Sequence, residues 1–380
     1  MSNSEIKGLS EKLSSVVKGM KQAFVAKDEV IDLLIVSLVA GENLFILGPP
    51  GTAKSALVQD LAKRLSGKNF EYLLTRFTEP NELFGPFDIR KLREGELVSN
   101  TEGMLPEADF VFLDELLNAN SAILNSLLTV LNERVFRRGR EYKKLPALIV
   151  VGASNRLPED EALNALFDRF LLRVYCGQVD QDRLTDVLIS GWKLDMKQID
   201  SNPNITIEDV KQLQNKIQDV KLDSIISDYC ELVHQIRHAG ISLSDRRAVK
   251  LQKLIAASAL VCGRLEAQIS DLWIMKYIWE LEEQQEILSA LVDSTLSKAD
   301  SADPHPRSTL DNRPDAETLA RDLETIEERL QDDISAGKNT NYLEDRLNIL
   351  ASRCEWIEVE EKRIFLKEKV DSIKAILAQT

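Results

Sequence analysis

The segment that most constrains this chain is an apolar run, Asn43 to Leu47, followed at once by Gly48-Pro49-Pro50-Gly51-Thr52-Ala53-Lys54-Ser55. It reads as a strand, a glycine-rich loop and the head of a helix. A loop wrapped on itself aims successive backbone N–H groups into one concavity, and a helix beginning near Lys54 adds the positive end of its dipole. A triphosphate suits that nest. Lys54 is expected to reach the β- and γ-phosphates and the Ser55 hydroxyl to ligate Mg²⁺. The pattern therefore predicts a nucleoside triphosphatase, with contacts running from Gly48 through Ala56. Ala53 stands where the general pattern has glycine. Its Cβ penalises left-handed backbone, so the reading expects a helical, negative φ at that position.

The surrounding sequence alternates between strands and helices. Helical spacing runs through Ile6, Leu9, Leu13, Val16, Met20 and Phe24, then Ile31, Leu34 and Leu38. After the loop come four further β-rich runs: Phe70 to Thr75, Asp109 to Leu113, Ala147 to Ala153 and Leu171 to Tyr175. Their continuous apolar character fits a mainly parallel sheet covered on both faces. Two insertions interrupt the plan. Residues 84–103 are expected to form a β-hairpin turning at Glu94-Gly95. Residues 134–145 form a second, with Val135 and Phe136 facing Tyr142 across a turn near Arg138-Gly139. This second hairpin carries Arg134, Arg137, Arg138, Arg140, Lys143 and Lys144. Such a patch either contacts a partner, a polyanion or the next subunit, or is simply a solvated face.

After Cys176 the pattern is helical: Val210, Leu213, Ile217 and Val220; Ile225, Tyr229, Leu232 and Ile236; Val249 to Leu260; Leu272 to Leu288. Ser, Asp and Pro then dominate, which reads as a linker. Beyond it three narrow apolar seams follow: Leu319, Leu323, Ile326 and Leu330; Leu343, Leu347, Leu350, Cys354 and Ile357; Leu366, Val370, Ile373 and Leu377. The expected domains are 1–178, an α/β nucleotide-binding domain; 179–296, an all-α lid; 297–318, a linker; and 319–380, a helical bundle or coiled-coil arm.

Composition narrows the class of partner. With 62 acidic and 48 basic side chains the net charge is −14, which opposes unspecific attraction to nucleic acid or anionic lipid. Met1 to Lys12 has no apolar signal core, and the run Leu33 to Ala40 is too short to span a bilayer, so no membrane insertion and a cytoplasmic location are expected. Cys176, Cys230, Cys262 and Cys354 lack metal-ligand spacing and read as small core residues of a reduced compartment. His234 and His238 share a helical face, but Gln235 stands where a zinc protease carries glutamate.

Chemistry-bearing residues recur where strands end. Phe110-Val111-Phe112-Leu113-Asp114-Glu115 is an apolar strand closing on two carboxylates. Beside a phosphate loop, Asp114 would hold the Mg²⁺ hydration shell with Ser55, and Glu115 would polarise the attacking water as general base. Asn155 follows the strand Ile149 to Ala153; its amide either orients that water or caps the next turn. Arg169, where a helix gives way to the last strand, would reach the neighbour's γ-phosphate if subunits form a ring. Ser244-Asp245-Arg246-Arg247 opens a lid helix, and Arg246, with Arg247 as substitute, would fold over the nucleotide.

Taken in order, GPPGTAKS, VFLDE, VVGASN, ALFDRF and SDRR resemble the MoxR family of AAA+ ATPases. More closely, YLLTRFTEPNELFGP, LPEADFVFLDE, ILNSLLTVLNER and SDRR are similar to its RavA branch, across residues 5 to 290. The resemblance implies a hexameric ring, a five-stranded parallel sheet of order 5-1-4-3-2 and a helical lid. It also implies insertions in the second helix and before the sensor strand. Alanine before the loop lysine is usual in the family. Asn155 is implied as sensor 1, Arg169 as trans-acting finger and Arg246 as sensor 2. Family members look like chaperones or remodelling motors that work on a client protein with a von Willebrand A domain protein. RavA-type proteins carry a discrete β-rich domain after the lid; here only the linker stands in that place, so activities of that domain are not carried over.

The reading is thus an Mg²⁺-dependent, ring-forming ATPase that remodels a client protein. Two alternatives belong to other classes. A nucleic-acid motor would use the basic hairpin, against the acidic net charge; a regulatory scaffold would bind nucleotide without turnover, against the full set Asp114, Glu115, Asn155 and Arg169.

Overall fold

The computed structural model describes residues 3–94, 97–138, 141–158, 161–179, 183–196, 205–297 and 304–309, then helical positions scattered between 319 and 377. Two compact units divide the chain, Met1–His305 and Pro306–Thr380.

The first unit opens with helix α1 (Asn3–Ala23), whose stripe Ile6, Leu9, Leu13, Val16 and Met20 is buried. Helix α2 (Asp28–Ala40) is apolar almost all round and buried from Val30 to Ala40 save Asp32, as an interior helix must be. Gly41, left-handed at φ 63°, ends it by returning its N–H to the Leu38 carbonyl. The chain then enters strand β1 (Leu44–Leu47), the phosphate-loop segment and helix α3 (Lys54–Arg64). Strand β2 (Asn69–Leu73), helix α4 (Pro80–Phe84), helix α5 (Ile89–Arg93) and strand β3 (Phe110–Asp114) follow. After helix α6 (Ser121–Glu133) come the short strands β4 (Val135–Arg138) and β5 (Glu141–Lys144). Strand β6 (Ile149–Ser154), helix α7 (Glu161–Phe167) and strand β7 (Leu172–Tyr175) complete the α/β part.

β2, β3, β6, β1 and β7 lie side by side in that order, all parallel. Counted along the chain these are strands 2-3-4-1-5, the expected 5-1-4-3-2 read from the other edge. The three inner strands are buried residue after residue up to the last position of β3, which is why their sequences show apolar runs rather than alternation.

The two insertions differ from their expected forms. Among the described residues, 84–103 show no pair of hairpin strands. Asp88 accepts hydrogen bonds from the Arg90 and Lys91 N–H groups and starts α5, and only an isolated antiparallel bridge, Phe87 to Ser99, closes the excursion. The expected turn residue Gly95 lies outside the described residues. Residues 134–145 do form an antiparallel hairpin, but Tyr142 pairs with Arg137 and Phe136 with Lys143. Val135 and Phe136 point into the core while Tyr142 is exposed, with the Arg137 guanidinium 5.3 Å from its ring centre. Nor is the hairpin a uniformly basic face. Arg134 is half-buried and donates to the Gly41 carbonyl, while Arg138 donates to the Gly85 carbonyl, Ser99 and Asn81 and lies over the Phe87 ring. Arg137 pairs with Glu133 and Lys143 with Glu107. Arg140 lies outside the described residues.

Helix α8 (Leu184–Asp195) follows, and then the all-α lid of helices α9 (Ile207–Lys216), α10 (Ile226–His238), α11 (Asp245–Val261) and α12 (Gln284–Leu296). Leu272 to Leu288 is not one helix: a 3₁₀ helix, Ile269–Tyr277, is separated from α12 by a loop. Its anchor is Asp271, fully buried, which accepts from Ser258, from both terminal nitrogens of Arg264 and from the Gln268 N–H. α11 packs along α2, fastening lid to core. His305, within the expected linker, stacks on Trp273 at 4.9 Å. Cys176 is buried, but Cys230 is exposed on α10, which corrects its placement as a core residue.

In the second unit, Leu319, Leu323, Ile326, Leu330, Leu347, Leu350, Cys354, Leu366, Val370 and Ile373 form one buried cluster, the last three on a helix Glu360–Leu377. The cluster draws residues from all three apolar seams. Leu343 and Ile357 lie outside the described residues, as do 298–303 and 310–318 of the linker.

Candidate nucleotide site

Three strands end along one edge of the sheet. β1 runs into the loop, β3 into Asp114-Glu115, and β6, lying between them, into Ser154-Asn155. The Gly48 N–H donates to the Ser154 carbonyl at 3.0 Å, which sets the loop beside the end of β6.

The loop is tight on one side and open on the other. A Cβ on Gly48 would stand 2.2 Å from the Cys176 carbonyl oxygen, so the residue just past β7 presses directly on its base. Gly51, at φ +79°, has nothing within 4 Å of its Cβ direction and faces free space. Lys54 is buried; its ammonium donates to the carbonyls of Gly48 at 2.8 Å and Pro49 at 2.9 Å, while the Thr52 hydroxyl donates to Pro49 at 3.0 Å. The loop therefore curls round its own lysine. Pro49 is half-buried and Pro50 exposed; Ser55 and Ala56 are half-buried in the first turn of α3, where N–H groups have no intrahelical acceptor.

Ala53 corrects the expectation set by its side chain. It is left-handed, φ 66° and ψ 23°, at the N-cap of α3. Closing the loop onto a helix head demands this turn, and the αL cost of about 1 kcal/mol is borne locally. Glu115 is the second strained residue here, at φ 49°. Its own N–H donates to Asp114 Oδ1 at 2.9 Å, so the two carboxylates diverge from a shared kink.

Burial raises the Glu115 pKa above the usual carboxylate range, and the Asp114 charge adds to the shift; Lys54 and Arg156 oppose it. These interactions bring Lys54, Asp114 and Glu115 into one electrostatic neighbourhood. Asn155 is exposed just past β6. Sequence reasoning overlooked Arg156 and Asn118: Arg156 Nη2 donates to Asn118 Oδ1 at 3.1 Å, and Asn118 Nδ2 reaches Glu115 Oε2 at 3.5 Å. The signal available was a polar residue one turn beyond the Asp-Glu pair.

Arg169 is not brought to this edge. It precedes β7, whose first residue pairs with the first residue of β1, so it lies at the opposite edge; the strand alone separates the two by about 13 Å. Its carbonyl is held by Asn43 Nδ2 at 3.0 Å, and its Nε is buried without a hydrogen-bond partner among the described residues. In the lid, Ser244 caps α11 by accepting from the Arg247 N–H. Arg246 is exposed on the first turn, whereas Arg247 is tied to Glu280 and the Ile278 carbonyl.

The donor set fits nucleotide and metal. An open concavity of loop and helix-head N–H groups with a seated ammonium suits polyphosphate, and a hydroxyl on Ser55 with a carboxylate on Asp114 is oxygen chemistry suited to Mg²⁺.

Sheet order, loop, strand-end carboxylates and all-α lid together define a P-loop protein of the AAA+ class. Residues 11–215 match the family described as the MoxR domain in the MoxR-vWA-beta-propeller ternary systems, and residues 206–292 match an AAA lid domain. The chain belongs to the MoxR family of AAA+ ATPases. An uncharacterised protein of Methanocaldococcus jannaschii is 32% identical over 374 residues, 98% of this chain and 96% of that one. Chaperone MoxR1 of Mycobacterium tuberculosis is 24% identical over 180 residues, 46% of this chain and 47% of its own. In fold, the chain is similar to a crystal structure from Cytophaga hutchinsonii, with TM-score 0.62 and 19% identity over 78% of this chain and 96% of that one. Among the described residues no helix is long and apolar enough to cross a membrane.

Proposed function

We propose that this protein hydrolyses ATP with Mg²⁺ in a ring of subunits, and uses the cycle to remodel a client protein together with a von Willebrand A domain partner. The observation that carries this reading is the convergence of three strand ends on one sheet edge, with Arg169 at the other. Because Arg169 lies on the far side of the sheet from the loop and the carboxylates, it can serve such a site only in a neighbouring subunit.

In this reading the loop from Gly48 to Ala56 and Lys54 bind the triphosphate. Ser55 and Asp114 would hold Mg²⁺, which would supply positive charge to neutralise the phosphate oxygens. Glu115, made more basic by burial, accepts a proton from the attacking water, which Asn155 orients. Arg169 neutralises charge at the next subunit's site, and Arg246 carries the lid onto the nucleotide. The partner assignment follows the ternary systems named by the matching family model, and the chaperone role follows the mycobacterial relative. We also keep the RavA-like placement, on the strength of the motifs quoted above, and a cytoplasmic location.

The nucleic-acid motor loses its best feature, because Arg138 spends its charge inside the fold on Gly85, Ser99 and Asn81. Calorimetric titration and a phosphate-release assay test the main reading. Glu115→Gln should bind ATP as the parent does and lose turnover; Lys54→Ala should lose binding. Undiminished hydrolysis by Glu115→Gln would remove that residue from its role. Client and partner are tested by co-purification from cells expressing the turnover-dead variant.

A further inference from the structure

One fully buried charge has no part in the site above. Arg173 is the second residue of β7 and is wholly inaccessible to water. An apolar residue would fill this strand position without the desolvation that a guanidinium suffers. Its partners say what the arginine is for. Nη2 donates to the Phe167 carbonyl at 3.2 Å, and the guanidinium lies 4.1 Å above the Phe167 ring, with an Asp168 carboxylate oxygen 3.9 Å away. Nη1 donates to the carbonyls of Ile278 at 3.1 Å and Trp279 at 2.6 Å, both in the lid.

Each end of this fork meets a functional segment. Phe167 ends α7, and its carbonyl also accepts the Phe170 N–H at 3.1 Å, closing the turn that displays Arg169. Among the described residues, two side chains tether that turn: Asn43 on the Arg169 carbonyl, within the core, and Arg173 on the Phe167 carbonyl. At the lid end, the Ile278 carbonyl is shared with Arg247 Nη2 at 3.0 Å, and Arg247 is the neighbour of Arg246 on the first turn of α11.

We propose that Arg173 is a positioning residue: it fixes the pose of Arg169 and makes that pose depend on the lid of the same subunit. Movement of α11 on nucleotide binding pulls on Ile278, turns the planar fork, and shifts one of the two tethers of the finger that serves the next site. The inference rests on the trans-finger reading above. Burial first, and then the like charge of Arg247, push the Arg173 pKa down to about 9, which leaves it cationic at neutral pH.

The test is subunit mixing with the full-length chain. Arg173→Met should bind ATP within about twofold of the parent yet turn over on the order of 10² less, the effect of a misplaced catalytic group. Arg173→Lys, which keeps charge without the fork, should regain only part. Mixed with excess Glu115→Gln, whose finger is intact, Arg173→Met subunits should regain turnover, because the defect lies in what they offer their neighbour. Glu280→Gln, which loosens Arg247 from the lid side, should show a smaller defect of the same recoverable kind, and it decides the question if Arg173→Met does not fold. Failure of either variant to recover in mixtures where Arg169→Ala does recover overturns the proposal. If Arg169→Ala itself fails to recover, the trans-finger reading falls instead.

Discussion

Gly48 and Gly51 stand three residues apart in one loop, and the same substitution should fail at each for a different reason. At Gly48 an added Cβ meets the Cys176 oxygen at 2.2 Å and its carbon at 2.9 Å, and both belong to backbone. Loop and β7 must separate by about 1 Å before ordinary contact is restored. Neither is free to go: the Gly48 N–H is bonded to Ser154 at 3.0 Å and the Cys176 N–H to Leu47 at 2.7 Å. Overpacking of this kind costs about 1–3 kcal/mol, and loosening one of those bonds about 1 more. The expected loss is therefore about 2–4 kcal/mol, or a melting point lower by about 3–6 °C in a unit of this size. ATP affinity should fall by at least about tenfold, since the displaced loop gives up a charge-assisted contact. At Gly51 nothing obstructs the methyl, and only the left-handed φ of +79° is paid for, at about 1 kcal/mol. Calorimetric melting and ATP titration of Gly48→Ala and Gly51→Ala side by side make the comparison. Equal losses, or a Gly48→Ala protein that melts and binds like the parent, would show that β7 does not brace the loop.

Glu115→Gln should also report on burial. The raised folded pKa of Glu115 contributes stability that is fully present below its reference value of 4.5 and lost as pH rises through the folded value. The glutamine variant should therefore melt above the parent near neutral pH, and the gap should close toward acid; a gap independent of pH refutes burial as its cause. Asp271→Ala leaves Arg264 without its bidentate partner inside the lid and should cost about 3–5 kcal/mol, seen as early hydrogen exchange in α11 and the 3₁₀ helix. Exchange no faster than in the parent would mean that the network is dispensable. Ala53→Gly should stay within about 1 kcal/mol of the parent, relief of strain being offset by a freer unfolded chain, whereas Ala53→Val should lose at least about 1 kcal/mol. A valine variant as stable as the parent would contradict the left-handed backbone.

What the sequence disclosed was governed by burial on both sides of a sheet. β1, β3 and β6 are so completely enclosed that their runs could only be strands, and the motifs between them fixed which ends meet. Single-residue judgements fared less well where a neighbour distant in sequence decides. Ala53 was expected to avoid the left-handed region because its own Cβ argues against it; the need to join loop to helix prevails. The excursion at 84–103 looked like a hairpin because Glu94-Gly95 resembles a turn, yet Asp88 captures two N–H groups first and winds the chain into α5. Arg134 and Arg138 looked like surface charge because a basic run does not reveal that alternate members point inward. Arg173 left a signal that went unused: an arginine inside Leu171-Leu172-Arg173-Val174-Tyr175, in a doubly covered sheet, requires buried carbonyls to receive it.

The seating of Lys54 on its own loop changes what nucleotide arrival means. With Gly48 and Pro49 already accepting from the ammonium, an incoming phosphate enters by exchange, displacing two acceptors as it supplies new ones. The net gain from the lysine is smaller than its charge suggests, and the loop draws part of its shape from its own ammonium. In the proposed cycle the exchange would run in reverse on departure: two carbonyls stand within reach of the lysine, so product would leave a group that already has somewhere to go.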